Sequence, residues 1–214
     1  MTKRRRIAAH GARVVLHGEV FEESEAEARR IAERNDWRFV HPFDDLDVIA
    51  GQGTLAYELL RAKPDVVICP IGGGGLASGI GVILRAHGVR LVGAQVEGVD
   101  AMRRTLAGRE EGFVPAPTIA DGVRVRRPGQ HTRRMCRALL EDIVLVTESE
   151  VRSMVVQLYT QRGLVVEGAG AVAAAALPKV TGRRKLAVLS GGNIDRPTLF
   201  KLVGGRTHET RYSA

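Results

Sequence analysis

Cysteine is nearly absent from this 214-residue chain: Cys69 and Cys136 stand far apart, with no C-x-x-C spacing. That excludes a disulfide framework and a thiolate metal cluster. It suits a reducing compartment, and a cytoplasmic protein is expected. Cys69, inside an apolar run, reads as a small buried hydrophobe. The six histidines form no H-E-x-x-H or other paired spacing, so no metal site is expected. Aromatic residues make up only 4% of the chain and are not interleaved with basic ones, so a base-stacking surface is not expected. The net charge of +8, from 32 Lys+Arg against 24 Asp+Glu, is read as arginines on solvated helix faces rather than as a nucleic-acid footprint. Long hydrophobic runs are missing too. The longest, Gly168 to Leu177, is too short and too small-sided to span a bilayer, and His10, Arg13 and His17 interrupt any signal-peptide core. Neither nucleic acid nor membrane is an expected partner.

Glycine is plentiful, with 25 residues, and four of them are consecutive in Ile71-Gly72-Gly73-Gly74-Gly75-Leu76. This stretch follows the apolar run Val66-Val67-Ile68-Cys69-Pro70 and opens an amphipathic segment from Leu76 to His87. A glycine loop between a strand and a helix presents bare backbone N–H groups at the positive end of the helix, which suits a phosphate.

The surrounding pattern alternates. Strands are expected at Ala12 to Leu16, Trp37 to Val40, Asp65 to Ile71, Arg90 to Val96, Ile143 to Val146 and Lys185 to Ser190. Helices are expected at Glu22 to Asn35, Gln52 to Ala62, Leu76 to His87, Gly129 to Glu141 and Gly168 to Leu177. A further helix opens at Thr147-Glu148-Ser149-Glu150, which has capping-box spacing. The stretch from Glu110 to Thr118 is the longest irregular one. The fold class implied is α/β, a mainly parallel twisted sheet with helices on both faces. In such sheets ligands bind beyond the carboxyl ends of the strands, where both the glycine loop and Ser190-Gly191-Gly192-Asn193 fall.

Two readings of the loop are open from the residues themselves. Gly72, Gly74 and Ala77 satisfy a loose dinucleotide-binding pattern, with Glu97 ending the next strand where an acid could hold a ribose; that reading leaves Ser190-Gly-Gly-Asn unexplained. The other is a phosphate cup for pyridoxal phosphate.

Six blocks, in order, carry a family resemblance. They are Gly11-Ala-Arg-Val-Val-Leu-His-Gly18; Pro42-Phe-Asp-Asp45 with Val48-Ile-Ala-Gly-Gln-Gly-Thr54; Pro70-Ile-Gly-Gly-Gly-Gly-Leu76; Ile119-Ala-Asp-Gly-Val123; Val165-Val-Glu-Gly-Ala-Gly-Ala171; and Leu189-Ser-Gly-Gly-Asn-Ile-Asp195. The chain resembles the carboxyl-terminal two-thirds of a threonine/serine dehydratase (threonine ammonia-lyase), a fold type II pyridoxal-phosphate enzyme of the tryptophan synthase β-like class. The resemblance implies an incomplete smaller domain over 1–45, a large cofactor-binding domain over 46–205 and a tail over 206–214. It implies pyridoxal 5'-phosphate as cofactor, a small amino acid as substrate, β-elimination of threonine or serine to a 2-oxo acid and ammonia, and a homodimer.

Carried over residue by residue, Gly72, Gly73, Gly74, Gly75 and Leu76 would hold the cofactor phosphate. Ser190, followed by Gly191, would meet the pyridine nitrogen, Glu167 would lie beside the ring, and Asp121-Gly122 would lie near substrate and hinge. Taken singly, these residues also fit blander roles: a plain turn for the glycines, a helix N-cap for Ser190, an ion pair for Glu167 and an Asp-Gly turn at Asp121. Glu97 and Ala101 match the cation-site pattern of the serine racemase branch, but Arg103 stands where its second carboxylate would be, so no cation is expected there.

The family's Schiff-base lysine motif, Ser-Phe-Lys-x-Arg-Gly-Ala, and its Ser-x-Gly-Asn loop are not present. Lys3, Lys63, Lys179, Lys185 and Lys201 each read as solvated surface residues. The resemblance thus leads to the expectation of little lyase activity from this chain alone, with a complementary amino-terminal chain as a possible partner. Few residues follow Asp195, so the short catabolic type without isoleucine feedback is expected.

Overall fold

A computed structural model describes residues 2–18 and 21–204 of the chain. The expected tail over 206–214 lies outside the described residues. In chain order the elements are α1 (Thr2–Ala9), α2 (Phe21–Arg34), α3 (Leu46–Gly53), α4 (Leu55–Arg61), β1 (Val66–Pro70), α5 (Gly75–Ala86), β2 (Arg90–Val96) and α6 (Ala101–Leu106). They continue with α7 (Gln130–Leu139), β3 (Asp142–Val146), α8 (Glu148–Arg162), α9 (Gly168–Ala175), β4 (Lys185–Ala187) and α10 (Arg196–Gly204). Single 3-10 turns form at Asp121–Val123 and Leu177–Lys179.

The four strands make one sheet in the order β3-β2-β1-β4, with every pairing parallel. Alternation along the strands divides the core in two. Val66, Ile68, Val92, Ala94 and Val96 face α8, α9 and α10, while Val67, Cys69 and Leu91 face α5 and α7. In β1, the residues from Val66 to Cys69 are all 0% exposed, as expected of a parallel strand covered on both faces. The expected α/β class is therefore what forms.

α9 is built from Gly, Ala and Val alone, and its eight residues are all buried. Small side chains let its backbone approach its neighbours closely. A Cβ on Gly168 would lie 2.4 Å from the Ile119 carbonyl oxygen, and one on Gly170 2.4 Å from that of Gly191.

At the start of α8 the anticipated capping box forms. The Glu150 amide donates to Thr147 Oγ1 at 3.1 Å, and the Thr147 amide donates to Glu150 Oε2 at 2.6 Å. Lys179 Nζ reaches the same carboxylate at 2.7 Å, and this bond chiefly holds the Glu150 carboxyl below its ordinary range. Thr147→Ala is expected to cost about 1 kcal/mol, the usual value of an N-cap, read from the midpoint of urea unfolding. An unchanged midpoint would show that the Lys179–Glu150 pair alone secures this end.

Several expectations change. Ala12 to Leu16 and Trp37 to Val40 form no strand and belong to no ladder. A strand exists only by pairing, and among the described residues neither segment has a neighbour to pair with. Their apolar side chains are left open, with Leu16 62% and Trp37 61% exposed. The single helix expected over 52–62 is two helices, α3 and α4, meeting at Thr54. The last strand ends at Ala187, although the Val188 amide still bonds to the Ile68 carbonyl at 3.0 Å. Helices α1, α6 and α10 were not anticipated.

Candidate functional site

The site is built around the turn from β1 into α5. The Ile71 amide bonds to the Ala94 carbonyl at 2.9 Å, which keeps the chain in register with β2 as it leaves the sheet. Gln95, 0% exposed, fixes the departure. Its Nε2 donates to the Ile71 carbonyl at 3.1 Å and its Oε1 accepts from the Arg103 amide at 2.9 Å. Gly74 then adopts φ 96°, a left-handed geometry that favours glycine, and caps α5. The Ser78 amide closes the first turn on the Gly74 carbonyl at 2.8 Å.

Gly73, Gly74 and Gly75 are buried. The amides of Gly72, Gly73 and Gly74 find no acceptor among the described residues. Buried donors are almost always paired in native proteins, so amides left open at a helix N-terminus mark a place for an anion.

Two segments press the loop into a cup. A Cβ on Gly73 would fall 2.3 Å from the Phe43 ring, and one on Gly75 2.9 Å from the Phe43 carbonyl oxygen. On the other wall, a Cβ on Gly72 would sit 3.0 Å from Val123 Cα. Phe43 is held by His41, whose ring lies edge-on at 4.5 Å, with Phe21 5.7 Å away. His41 Nδ1 accepts from the amides of Phe43 at 3.2 Å and Asp44 at 2.9 Å, so its proton sits on Nε2, facing Glu25 Oε1 at 3.6 Å.

Asp44 ties this segment to α7. Its carboxylate accepts from the Gln130 amide at 2.8 Å and the Thr132 amide at 2.9 Å, capping that helix from outside. Thr132 and Cys136 of α7 in turn back Gly74. Burial pushes the Cys136 thiol up to about 11, with its Sγ 3.7 Å from Ser78 Oγ. It therefore serves as packing rather than as a nucleophile.

The cup opens into a cavity of about 190 Å³ lined by Phe43, Gly72–Gly75, Leu76, Gly122, Val123, Glu167 and Ser190. Glu167 caps α9 by position, and its amide bonds to the Gly191 carbonyl at 3.0 Å. A Cβ at Gly191 would lie 2.2 Å from Glu167 Oε1, so glycine there makes room for the carboxylate rather than lining the cavity itself. Gly122 faces the cup, whereas Asp121 lines a second cavity of about 450 Å³ on the far side of Glu167. Thr118 and Ile119, just before it, are anchored on Glu148 by bonds of 2.7 and 3.1 Å.

The glycine loop, Leu76, Glu167, Ser190 and Gly122 therefore converge on one cavity, while Gly191 packs against Glu167 and Asp121 lines the second cavity instead. Glu97 and Arg103 line neither cavity of this pair. Phe43, Val123 and Asp44 have structural roles that the residue-by-residue reading did not assign. The blocks Pro42-Phe-Asp-Asp45 and Ile119-Ala-Asp-Gly-Val123 were their only sequence signals.

The pyridoxal-phosphate dependent enzyme family matches residues 1–191. The chain belongs to that family. Its cofactor displaces the dinucleotide reading of Gly72, Gly74 and Ala77. The chain is 41% identical over 201 residues to an L-threonine ammonia-lyase of Thermotoga maritima, covering 90% of this chain and 50% of that one. It is 39% identical over 206 residues to the catabolic L-threonine dehydratase of Escherichia coli K12, covering 91% and 63%. A solved threonine deaminase from T.th. superposes with a TM-score of 0.83 at 36% identity, over 91% of this chain and 68% of that one. The chain thus spans between half and two thirds of the length of these curated relatives.

The cup fits the family's cofactor: open buried amides suit a phosphate, and a hydroxyl and a carboxylate stand beyond them for a ring. No lysine lines the cavity among the described residues. Lys179 is engaged with Leu145 and Glu150, and Lys185 donates to the Leu177 carbonyl at 2.8 Å. Lys185 also opens β4, roughly 16 Å of extended chain away from Ser190.

Proposed function

We propose that this chain supplies the phosphate-binding face of a pyridoxal-phosphate-dependent threonine/serine ammonia-lyase, which converts threonine to 2-oxobutyrate and ammonia by β-elimination. The observation that carries this reading is the set of amides at Gly72, Gly73 and Gly74 with no acceptor among the described residues, the last two in buried glycines, on a cavity that Ser190 and Glu167 also line. When bound, the cofactor supplies an electron sink for the substrate's α-carbon. The glycine amides and the start of α5 hold its phosphate. The Ser190 hydroxyl meets the ring nitrogen as a neutral partner and so moderates that sink. Glu167 orients the ring edge, and Asp121-Gly122 shapes the substrate side. The domain assignment follows the same logic, with 46–205 as the cofactor domain and 1–45 as part of a smaller one.

That no lysine lines the cup among the described residues supports a second element: full activity requires a lysine from outside these 214 residues, as a complementary amino-terminal chain could supply it. The homodimer is carried over from the family likeness alone. No helix among the described residues is long and apolar enough to cross a membrane. Cytoplasmic amino-acid catabolism, without nucleic-acid or membrane partners, is the setting we assign.

The test is to incubate the purified chain with pyridoxal phosphate, follow binding in competition with inorganic phosphate, then reduce with borohydride and map lysine adducts. Saturable, phosphate-competed binding without a single stoichiometric adduct is expected. Binding indifferent to phosphate would sink the cup, and one stoichiometric adduct would show that the chain carries its own lysine.

A further inference from the structure

His41 stands between α2 and the cup, and its two ring nitrogens have opposite duties. Nδ1 accepts from the amides of Phe43 at 3.2 Å and Asp44 at 2.9 Å. Pro42 has no N–H, so these are the first two amides after the ring, and the bonds close a turn over 41–44. Nε2 faces Glu25 Oε1 of α2 at 3.6 Å. The rings of Phe21, Phe39 and Phe43 surround the imidazole, with centroids 6.0, 6.2 and 4.5 Å away.

The closed turn serves two contacts of the site. It lays Phe43 against Gly73 and Gly75, and it aims the Asp44 carboxylate at the amides of Gln130 and Thr132. The charges around the ring are accounted for. Glu25 shares its carboxylate with Arg29 at 2.7 and 2.9 Å, and Arg29 lies over the Phe39 ring. Glu22, on the same helix, keeps Oε1 buried. Arg38 is turned away to Asp47, and Asp45 caps α3. The glycine loop beyond Phe43 brings no charge. An imidazolium would therefore meet a carboxylate on its Nε2 side. On its Nδ1 side a new N–H would oppose two N–H donors, and the turn would lose its acceptor.

Histidine is the side chain whose ordinary charge change falls between about pH 5 and pH 8. We propose that His41 is a pH-sensitive positioning residue for the anion cup: neutral, it locks the 41–44 turn, and protonated, it releases Phe43 and Asp44 and loosens the glycine loop. Anion affinity is then full above this range and falls as the pH drops, the reverse of what a general gain of positive charge would do. The link to the cup rests on the phosphate reading of the loop, whereas the behaviour of the turn does not.

Two substitutions separate the acceptor from the ring. Asparagine places an oxygen where Nδ1 stands and closes the same turn without titrating. Phenylalanine keeps the aromatic packing and lacks the acceptor. The whole chain is measured as parent, His41→Asn and His41→Phe at about pH 7.5 and about pH 5.5, either side of the imidazole's ordinary titration. The readouts are hydrogen-exchange protection of the Phe43 and Asp44 amides and affinity for sulfate, which unlike phosphate keeps its charge over this range. In the parent we expect protection to fall ~10-fold and sulfate affinity ~5-fold at the lower pH, with α8 unchanged. In His41→Asn neither should change with pH, and in His41→Phe both should be low throughout. A parent response that persists in His41→Asn, or full protection in His41→Phe, overturns the role of His41. Protection that falls without sulfate affinity overturns the link to the cup. Absence of sulfate binding at either pH in every variant would count against the anion reading of the loop, and the protection measurement still decides the turn.

Discussion

Gly79→Ala is expected to lower stability by about 3 kcal/mol, at the upper end of what overpacking costs. Helix propensity alone argues the other way, since alanine in a helix interior is better than glycine by about 1 kcal/mol. The contact decides the sign. α5 crosses α3 with the two backbones touching, and a Cβ on Gly79 would lie 2.2 Å from the Ile49 carbonyl oxygen and 2.6 Å from the Gly53 nitrogen. Those are backbone atoms, so no side chain can rotate away, and relief requires α3 to move. Since α3 follows directly from the Phe43–Asp45 segment that walls the cup, the displacement should also reach the site. Gly51→Ala, on the facing helix but with nothing within 4 Å, is the control and should stabilise by up to about 1 kcal/mol. Urea midpoints for the two variants moving in opposite directions would bear this out; a stabilised Gly79→Ala would refute the close crossing.

The second large effect is on affinity. Gly74→Ala should weaken binding of pyridoxal phosphate and of inorganic phosphate together, by about 100-fold, or roughly 2.7 kcal/mol. Alanine disfavours φ 96°, and its methyl would come within 2.7 Å of Met102 Cε, 3.1 Å of Thr132 Cβ and 3.2 Å of Cys136 Sγ. The loop must then flatten, which swings the amides of Gly73 and Gly74 off a common focus. Ser190→Ala, which leaves the amides alone, should keep phosphate affinity within a few-fold. Equal losses in the two variants would mean that phosphate is not held by the loop.

The sequence showed the parallel sheet and the cup through local signals. A glycine run directly after an apolar strand, and Thr147 three residues before Glu150, are readable because the interacting groups are neighbours in the chain. What stayed hidden depends on distant partners. Asp44 caps a helix that begins 86 residues later. Phe43 decides why Gly73 has no side chain, although nothing around Gly73 in sequence points to an aromatic ring. The segments at 12–16 and 37–40 have strand-like composition, but composition cannot supply the neighbour that makes a strand.

The strand order has a consequence for how this protein can change. The chain builds outward from β1 through β2 to β3 and then returns to the opposite side of β1 for β4. The connections leaving β1 and β4 therefore diverge, and the crevice between them belongs to neither. Residues 72–74 and 189–193 lie beyond the last sheet bonds, from the Ile71 amide to Ala94 and from the Val188 amide to Ile68, so a change in these loops leaves the strand register intact. Selectivity can thus evolve in these two loops at little cost to the sheet beneath them.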